Sequence, residues 1–224
     1  MMLKNIILGT AQFGMDYGIT NSKGILKEKD CINILEEAKR LGINILDTAQ
    51  DYGNAESLLG NNKFISKKFQ INTKLNLSEL ELNSKKTLNK FDEKLDKSLK
   101  RLNTDKLNSL MIHNGEILSK DCEVFLKWIK TCKSENKIKN FGASIYEDSE
   151  IPENTLKELD FLQVPYSIFN QRISKGNLIN LCSKNNTKIH VRSILCQGLI
   201  LSSLNNLPRW VEKRDKVIFE KIQN

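Results

Sequence analysis

The stretch NILDTAQDYGNAESLLG, residues 44–60, begins as an apolar run and turns polar at Asp47. Ile45 and Leu46 are typical of a buried strand, and Tyr52 follows the carboxylate after five residues. A buried strand has no structural need of a carboxylate at its end, because a charge is seldom buried without a partner. The pattern therefore indicates a strand whose carboxyl end takes part in chemistry.

Seven short apolar runs of this kind alternate with amphipathic segments. They are NIILGT (5–10), INILDT (43–48), FQINTKL (69–75), LNSLMIH (107–113), KIKNFGAS (137–144), DFLQVPY (160–166) and KIHVRSIL (188–195). Apolar residues at helical spacing lie between several of them, as in residues 27–41, 84–102 and 122–132. The first of these segments predicts a helix with one buried stripe, formed by Cys31, Ile34, Leu35, Ala38 and Leu41. Such βα alternation predicts a parallel sheet covered by helices, either closed as a barrel or open and doubly wound.

Two features favour the barrel. No G-x-G-x-x-G follows the first run, as a dinucleotide-binding open sheet would usually have. Polar residues also end several successive runs, and barrel enzymes gather their catalytic groups at the carboxyl ends of strands. We predict an α/β fold of the (β/α)8 TIM-barrel type, forming one domain over residues 1–224, since no linker or composition shift divides the chain.

Composition excludes several classes of function. The net charge of +8 comes from lysines scattered among acidic residues, without the clustered patch that nucleic acids require. No apolar run approaches the length of a membrane span, and the first ten residues do not resemble a signal peptide, so we expect a cytoplasmic protein. The five cysteines form no C-x-x-C pair, which favours buried thiols in a reducing compartment and no metal site.

Three successive runs end in groups that can ionise: Asp47, Lys74 and His113. In a barrel these strand ends meet at one mouth, where Tyr52 would join them from the loop after the second strand. A nearby ammonium stabilises a phenolate, so Lys74 could help Tyr52 donate a proton. Asp47 would keep the lysine charged, and His113 could hold a carbonyl oxygen beside the phenol.

Motifs along nearly the whole chain carry a resemblance to a known family. LGTAQFG, LDTAQDYGNAESLLG, INTKL, LMIHN, FGAS, LQVPYSIFNQR and VRSILCQGLIL, in this order, resemble the aldo-keto reductases to about residue 201. The resemblance implies a TIM barrel that transfers hydride from a nicotinamide cofactor, usually NADPH, to an aldehyde or ketone without a metal. It implies that Tyr52 is the general acid, Lys74 its activator, Asp47 the partner of the lysine and His113 the residue that orients the substrate.

The resemblance also implies cofactor contacts. Gly9 and Thr10 match the turn near the nicotinamide, and Ser144 and Gln163 match the side chains that bind its carboxamide. The pyrophosphate loop would contain Ser193, Leu195 and Gly198.

Two positions depart from the family pattern. Ile145 stands where many relatives have Asn, and Arg192 stands where many stack a tyrosine on the nicotinamide ring. The guanidinium of Arg192 is planar and could stack in the same way. The two changes suggest a divergent branch. Some relatives with stretches like GTAQFG and RSILCQGL act near surface-polysaccharide or sugar pathways, so the resemblance suggests a small, sugar-like carbonyl compound as the substrate.

Two alternatives stay open at this level. Lys74 could act as a Schiff-base nucleophile, although Asp47 would hold it protonated. The barrel could instead be a non-catalytic or weakly active binding or regulatory protein, which the changes at Ile145 and Arg192 would permit.

The last expectation concerns the end of the barrel. Residues 207–224 read as one amphipathic helix, with Trp210, Val211, Val217, Ile218 and Ile222 as its apolar positions, and no eighth strand follows. A barrel that lacks its last βα unit leaves its first and seventh strands unpaired, which favours a homodimer or marginal stability. The same loss would remove the family's site for the adenosine 2′-phosphate, so we expect weak binding of NADPH with little preference over NADH.

Overall fold

The computed structural model describes residues 5–62, 67–146, 151–203, 205, 207, 208, 211, 216, 217 and 219–221. Seven parallel strands form one sheet, with neighbours in chain order. The strands are β1 (Ile7–Gly9), β2 (Ile45–Asp47), β3 (Gln70–Leu75), β4 (Leu107–Ile112), β5 (Ile138–Ser144), β6 (Phe161–Pro165) and β7 (Lys188–Arg192). Every strand lies inside its predicted run, so the predicted order and the parallel sheet are confirmed.

The sheet is strongly curled. Gln163 of β6 donates from Nε2 to Oδ2 of Asp47 on β2 at 3.4 Å. These two strands are four positions apart, which in a flat sheet would separate them by about 19 Å. Across the remaining gap, the backbone N–H of Ile19, after β1, donates to the carbonyl of Gln197, after β7, at 3.1 Å. The fold is the predicted (β/α)8 barrel type, and the described residues contain no eighth strand.

Seven helices accompany the strands in the described part of the chain. They are α1 (Ala11–Gly14), α2 (Glu28–Arg40), α3 (Ala55–Asn61), α4 (Leu88–Leu102), α5 (Glu123–Ser134), α6 (Glu153–Leu156) and α7 (Leu178–Lys184). Short 3-10 segments cover Lys85–Thr87, Gly115–Ser119, Arg172–Ser174 and Cys196–Leu201. The structure therefore places a helical segment in every interval where the sequence predicts one before residue 203.

Apolar stripes hold these helices against the sheet. On α4, Phe91, Leu95 and Leu102 are buried at helical spacing, and Asn103 ends the helix in the left-handed conformation with φ of 53°. The stripe predicted for α2 is narrower than expected, because Ile34 is 36% exposed. The core thus lies between the outer face of the sheet and its covering helices.

The final segment is described only in part. Trp210, Ile218 and Ile222, three of the apolar positions predicted there, lie outside the described residues. Val211 and Phe219 are buried and form a small cluster with Leu199. None of the described helices is long and apolar enough to cross a bilayer.

Candidate active site

A buried ion pair lies at the centre of the barrel mouth. Lys74, at the end of β3, donates from Nζ to Oδ2 of Asp47 at 2.6 Å and to the Thr48 carbonyl at 2.9 Å. The Tyr52 hydroxyl lies 3.5 Å from the same Nζ. Only 1% of the Lys74 side chain and 13% of the Asp47 side chain are exposed. The structure thus brings three of the predicted residues into direct contact.

The carboxylate of Asp47 balances the positive charge of Lys74. Burial by itself lowers the pKa of Lys74, but the Asp47 carboxylate, the Tyr52 hydroxyl and the hydrogen bonds to both outweigh it and raise that pKa. Lys74 is therefore held as an ammonium at neutral pH. A permanent positive charge beside the phenol is the arrangement that stabilises a phenolate.

His113 completes the group immediately after β4. Its ring meets the ring of Tyr52 edge to face, with centroids 5.8 Å apart and an interplanar angle of 85°. Nδ1 lies 3.1 Å from Oδ2 of Asp51, which also accepts from the Asn76 amide at 3.0 Å. Burial and the charge on Lys74 lower the pKa of His113, so the imidazole is neutral at pH 7.

Two glycines fix the loop that carries Tyr52. A Cβ added to Gly14 would lie 1.9 Å from the Tyr52 carbonyl, and one added to Gly53 would lie 2.0 Å from the Gly14 carbonyl. Gly53 also has a φ of +54°, which side chains rarely adopt. The loop after β2 therefore rests directly on α1. The sequence carries both residues in the motifs AQFG and DYG, but their role as a contact surface depends on tertiary structure.

A buried carboxylate anchors the next helix. Glu56 on α3 is 1% exposed and accepts from the hydroxyls of Thr73 at 2.7 Å and Ser98 at 2.8 Å. Arg101 adds an ion pair at 3.4 Å. These contacts join α3 to β3 and α4 just behind Tyr52 and Lys74. Sequence reasoning missed Glu56, since an acidic residue on an amphipathic helix usually faces solvent.

The residues predicted to contact a nicotinamide lie around this centre. Thr10 is fully buried and donates its hydroxyl and backbone N–H to the Asp47 carbonyl at 3.2 and 2.9 Å. Gly9 is open, because a Cβ there would meet no atom within 4 Å. Ser144 and Gln163 are buried side by side on β5 and β6. Oε1 of Gln163 is buried without a hydrogen-bond partner among the described residues.

Arg192 lies at the end of β7. Its guanidinium covers the ring of Tyr146 at 4.4 Å and donates to the Ile145 carbonyl at 3.1 Å. No carboxylate of the described residues pairs with it. The two positions that depart from the family pattern, Ile145 and Arg192, are thus in contact with each other.

The predicted pyrophosphate loop has an unusual backbone. Ser193, Cys196, Gln197 and Gly198 all have positive φ values, from 49° to 90°. Leu195 is half exposed, and a Cβ on Gly198 would lie 2.3 Å from the hydroxyl oxygen of Thr20. The structure places Ser193, Leu195 and Gly198 at the mouth, next to the loop that follows β1.

Four cysteines are buried, Cys196 is partly buried, and all five are free thiols. The described residues contain no cluster of three or more His, Cys, Asp or Glu side chains placed to hold a metal.

The curled parallel sheet carries Asp47, Lys74, Tyr52 and His113 at its carboxyl edge, and comparison with known proteins identifies the family of this barrel. The model of the aldo/keto reductase family matches residues 5–218, and the chain belongs to this family. The resemblance seen in the sequence is thereby confirmed.

The individual relatives have low sequence identity to this chain. The NADH-specific methylglyoxal reductase of Escherichia coli K12 is 28% identical over 200 residues, covering 81% of this chain and 61% of that protein. The chain thus spans less than two thirds of the length of this relative. A putative aldo-keto reductase from Pseudomonas aeruginosa has a TM-score of 0.68 at 24% identity, covering 89% of this chain and 74% of its own. An aldo/keto reductase from Klebsiella pneumoniae, solved with NADP and acetate, has a TM-score of 0.67 at 20% identity, covering 88% and 69%.

Proposed function

We propose that this protein reduces the carbonyl group of small aldehydes or ketones with a nicotinamide cofactor, and that Tyr52 donates the proton. One observation carries the proposal: a buried Lys74 ammonium lies 3.5 Å from the Tyr52 hydroxyl while Asp47 holds it at 2.6 Å. Packing alone would be served as well by an apolar side chain, because burying a cation and its partner carries a desolvation cost. A proton donor needs this arrangement, because the charge left on the phenol is neutralised at once.

Each residue has a separate task in this proposal. Tyr52 gives its proton to the carbonyl oxygen as that oxygen becomes negative. Lys74 stabilises the phenolate, and Asp47 keeps Lys74 charged and fixed in direction. His113, neutral and edge-on to Tyr52, borders the position of the substrate.

The residues present fit a nicotinamide. Its carboxamide has N–H donors, and the unpartnered Oε1 of Gln163 is a buried acceptor that could take one. The open space beside Gly9 leaves room for the ring, and Arg192 offers a planar group for stacking. When bound, the reduced cofactor supplies the hydride.

The choice of cofactor is also part of the proposal. One relative is described as NADH-specific, and another was solved with NADP. We propose NADPH, with NADH as the alternative. Parallel titrations of the purified chain with both cofactors decide between them. The free cysteines agree with the cytoplasmic location that we propose.

The test is the oxidation of reduced cofactor by purified protein with a panel of reactive and sugar-like carbonyl compounds. Tyr52→Phe removes only the acidic hydroxyl and is expected to lower kcat at least about a hundredfold, the usual effect of losing a general acid. Tyr166→Phe removes a different tyrosine hydroxyl and is expected to keep most of the activity. Equal rates for the Tyr52 variant and the wild type would refute the role of Tyr52.

The other two hypotheses predict different results. A Schiff-base mechanism needs a neutral lysine, and the raised pKa of Lys74 caused by Asp47 argues against it. Trapping of a carbonyl compound on Lys74 by borohydride would favour that mechanism. A non-catalytic binding protein would bind the cofactor in calorimetry and reduce no compound of the panel.

A further inference from the structure

Arg192 brings a positive charge to the barrel mouth, and the proposed reaction does not yet use that charge. It ends β7, in register with Pro165 at the end of β6. Its guanidinium donates to the Ile145 carbonyl at 3.1 Å and to the Ser193 hydroxyl at 3.4 Å, and both acceptors are neutral. An arginine side chain stays protonated in proteins, so Arg192 is a permanent cation.

The charge of Arg192 is not balanced by any described carboxylate in contact with it. Glu116 accepts a hydrogen bond from the backbone N–H of Tyr146 at 3.1 Å and forms no ion pair with Arg192. Lys74, also a cation of the mouth, differs in this respect, because Asp47 lies 2.6 Å from it and cancels its charge. A ligand bound beside Arg192 therefore meets a positive charge that has no counter-charge among its described contacts.

The guanidinium of Arg192 is also held in a fixed plane. One of its faces covers the ring of Tyr146, with Cζ 4.4 Å from the ring centroid, and the bond to the Ile145 carbonyl restrains its rotation. Its Nε is buried, so the group is anchored at its base. A guanidinium is planar and has two faces, and the face opposite Tyr146 is the one on which a nicotinamide ring would stack in the proposed function.

We infer that Arg192 selects the redox state of the cofactor and binds the reduced form more tightly than the oxidised form. This inference rests on the proposed function, because it concerns the cofactor of the same site. The two forms share their phosphates, riboses, adenine and carboxamide, and they differ by one hydride on the nicotinamide ring. The reduced ring is neutral, and the oxidised ring carries one positive charge. A second cation about 4 Å away repels the oxidised ring and finds no net charge to repel in the reduced ring.

This preference gives the proposed reaction a direction. The hydride passes to the carbonyl carbon and the Tyr52 proton to the carbonyl oxygen, which leaves an alcohol and an oxidised ring. Arg192 then favours release of the oxidised cofactor. The reverse reaction, in which an alcohol is oxidised, starts from that same oxidised form and is therefore disfavoured. The chain acts as a reductase that its spent cofactor inhibits only weakly.

Titration calorimetry with NADPH and NADP+ measures this preference without any turnover. We expect the wild type to bind NADPH at least about tenfold more tightly than NADP+, the effect of one close like charge at a partly exposed site. Arg192→Gln removes the charge and keeps a planar amide, and we expect it to bring the ratio of the two Kd values near one, mainly by tighter binding of NADP+. Arg192→Lys keeps the charge and is expected to keep the ratio.

Two comparisons separate the charge of Arg192 from other effects. Arg40→Gln, the same substitution on the exposed surface of α2, should leave the ratio unchanged, because solvent and salt screen that distant charge. The pair NADH and NAD+ should give the same ratio as the pair NADPH and NADP+, because the difference in charge between the two forms is confined to the nicotinamide ring.

The possible results distinguish this inference from the proposed function. A wild type with equal Kd values for the two forms, or an unchanged ratio in Arg192→Gln, would overturn the inference. The wild-type ratio alone can do so if that variant does not fold. Reduction of a carbonyl compound by the same preparation would then leave the proposed function standing. A wild type that binds neither form would count against the proposed function and would overturn the inference with it.

Discussion

Lys74 is the residue on which both stability and the proposed chemistry depend. A buried ammonium is costly unless a partner compensates it, and Asp47 at 2.6 Å is that partner. Gln163 approaches the same carboxylate oxygen at 3.4 Å, so β2, β3 and β6 meet at one atom. The ion pair therefore joins strands that lie far apart in the chain.

Substitutions in the Lys74–Asp47 ion pair distinguish the role of Lys74 in stability from its role in the proposed chemistry. Lys74→Met leaves the Asp47 carboxylate without its cation, and we expect a loss of about 3 kcal/mol in the free energy of unfolding. Adding Asp47→Asn removes the stranded charge and is expected to restore most of that stability but none of the reductase activity. Denaturant unfolding and cofactor oxidation, measured on both single variants and the double variant, test this. Strictly additive stability losses would contradict the expected coupling.

The lowered pKa values of two histidines predict how the free energy of unfolding depends on pH. Burial lowers the pKa of His113 and of His190, which stacks on Phe161 with ring centroids 4.3 Å apart. Below about pH 6.5 the unfolded chain takes up protons that the folded chain does not, so stability falls as pH falls through this range and is retained above it. We expect a higher melting temperature at about pH 8 than at about pH 5.5. This difference in melting temperature between the two pH values should be smaller in His113→Asn and in His190→Gln. Equal differences in the wild type and both variants would refute the role of these histidines.

Helix α3 buries a carboxylate, Glu56, beside its apolar residues Ala55, Leu58 and Leu59. Glu56 is buried among Thr73, Ser98 and Arg101, and it ties α3 to β3 and α4. The first residues of α3 follow the Tyr52 loop directly. Loss of the Glu56 contacts should therefore disturb the position of Tyr52 in the candidate active site.

Substitution of Glu56 tests that coupling. Glu56→Ala leaves two buried hydroxyls without their acceptor, and we expect a stability loss of about 2–4 kcal/mol with lower kcat. Glu56→Gln keeps one acceptor oxygen and should lose less. Glu36→Ala on the exposed face of α2 is the control, with an expected change below about 0.5 kcal/mol. Thermal unfolding and reductase activity are measured on all three variants. A Glu56→Ala variant as stable as the Glu36→Ala control would contradict this explanation.

The strands and three of the site residues could be predicted from the sequence alone. The seven strands were predictable because each is a short apolar run, and Asp47, Lys74 and His113 were predictable because they end three such runs. Gly14, Gly53, Glu56 and Asp51 were not, since each acts through a partner that only the folded chain brings near. Ile34 was wrongly predicted as buried because a helical stripe gives no measure of how much of the helix the sheet covers.

The barrel as a whole has one open seam in the described residues. β1 and β7 are the two ends of the sheet order, and neither pairs with the other. The loops beyond them meet at the bond from Ile19 to Gln197 and where Gly198 lies against Thr20. Unpaired strand edges carry free N–H and C=O groups that can pair with a second chain.

We therefore propose that the 224-residue chain associates through this seam. Ile6 beside β1 is 47% exposed and Val191 on β7 is 42% exposed, so each edge offers apolar surface as well as backbone groups. Sedimentation over a range of concentrations is expected to show monomers in equilibrium with dimers. Val191→Lys places a charge on the edge and should weaken association at least about tenfold, because edge lysines oppose strand pairing. Ile34→Lys, on the exposed face of α2, should leave it unchanged. A wild type that is monomeric at all concentrations, or equal association of the two lysine variants, would show that the seam is not the interface.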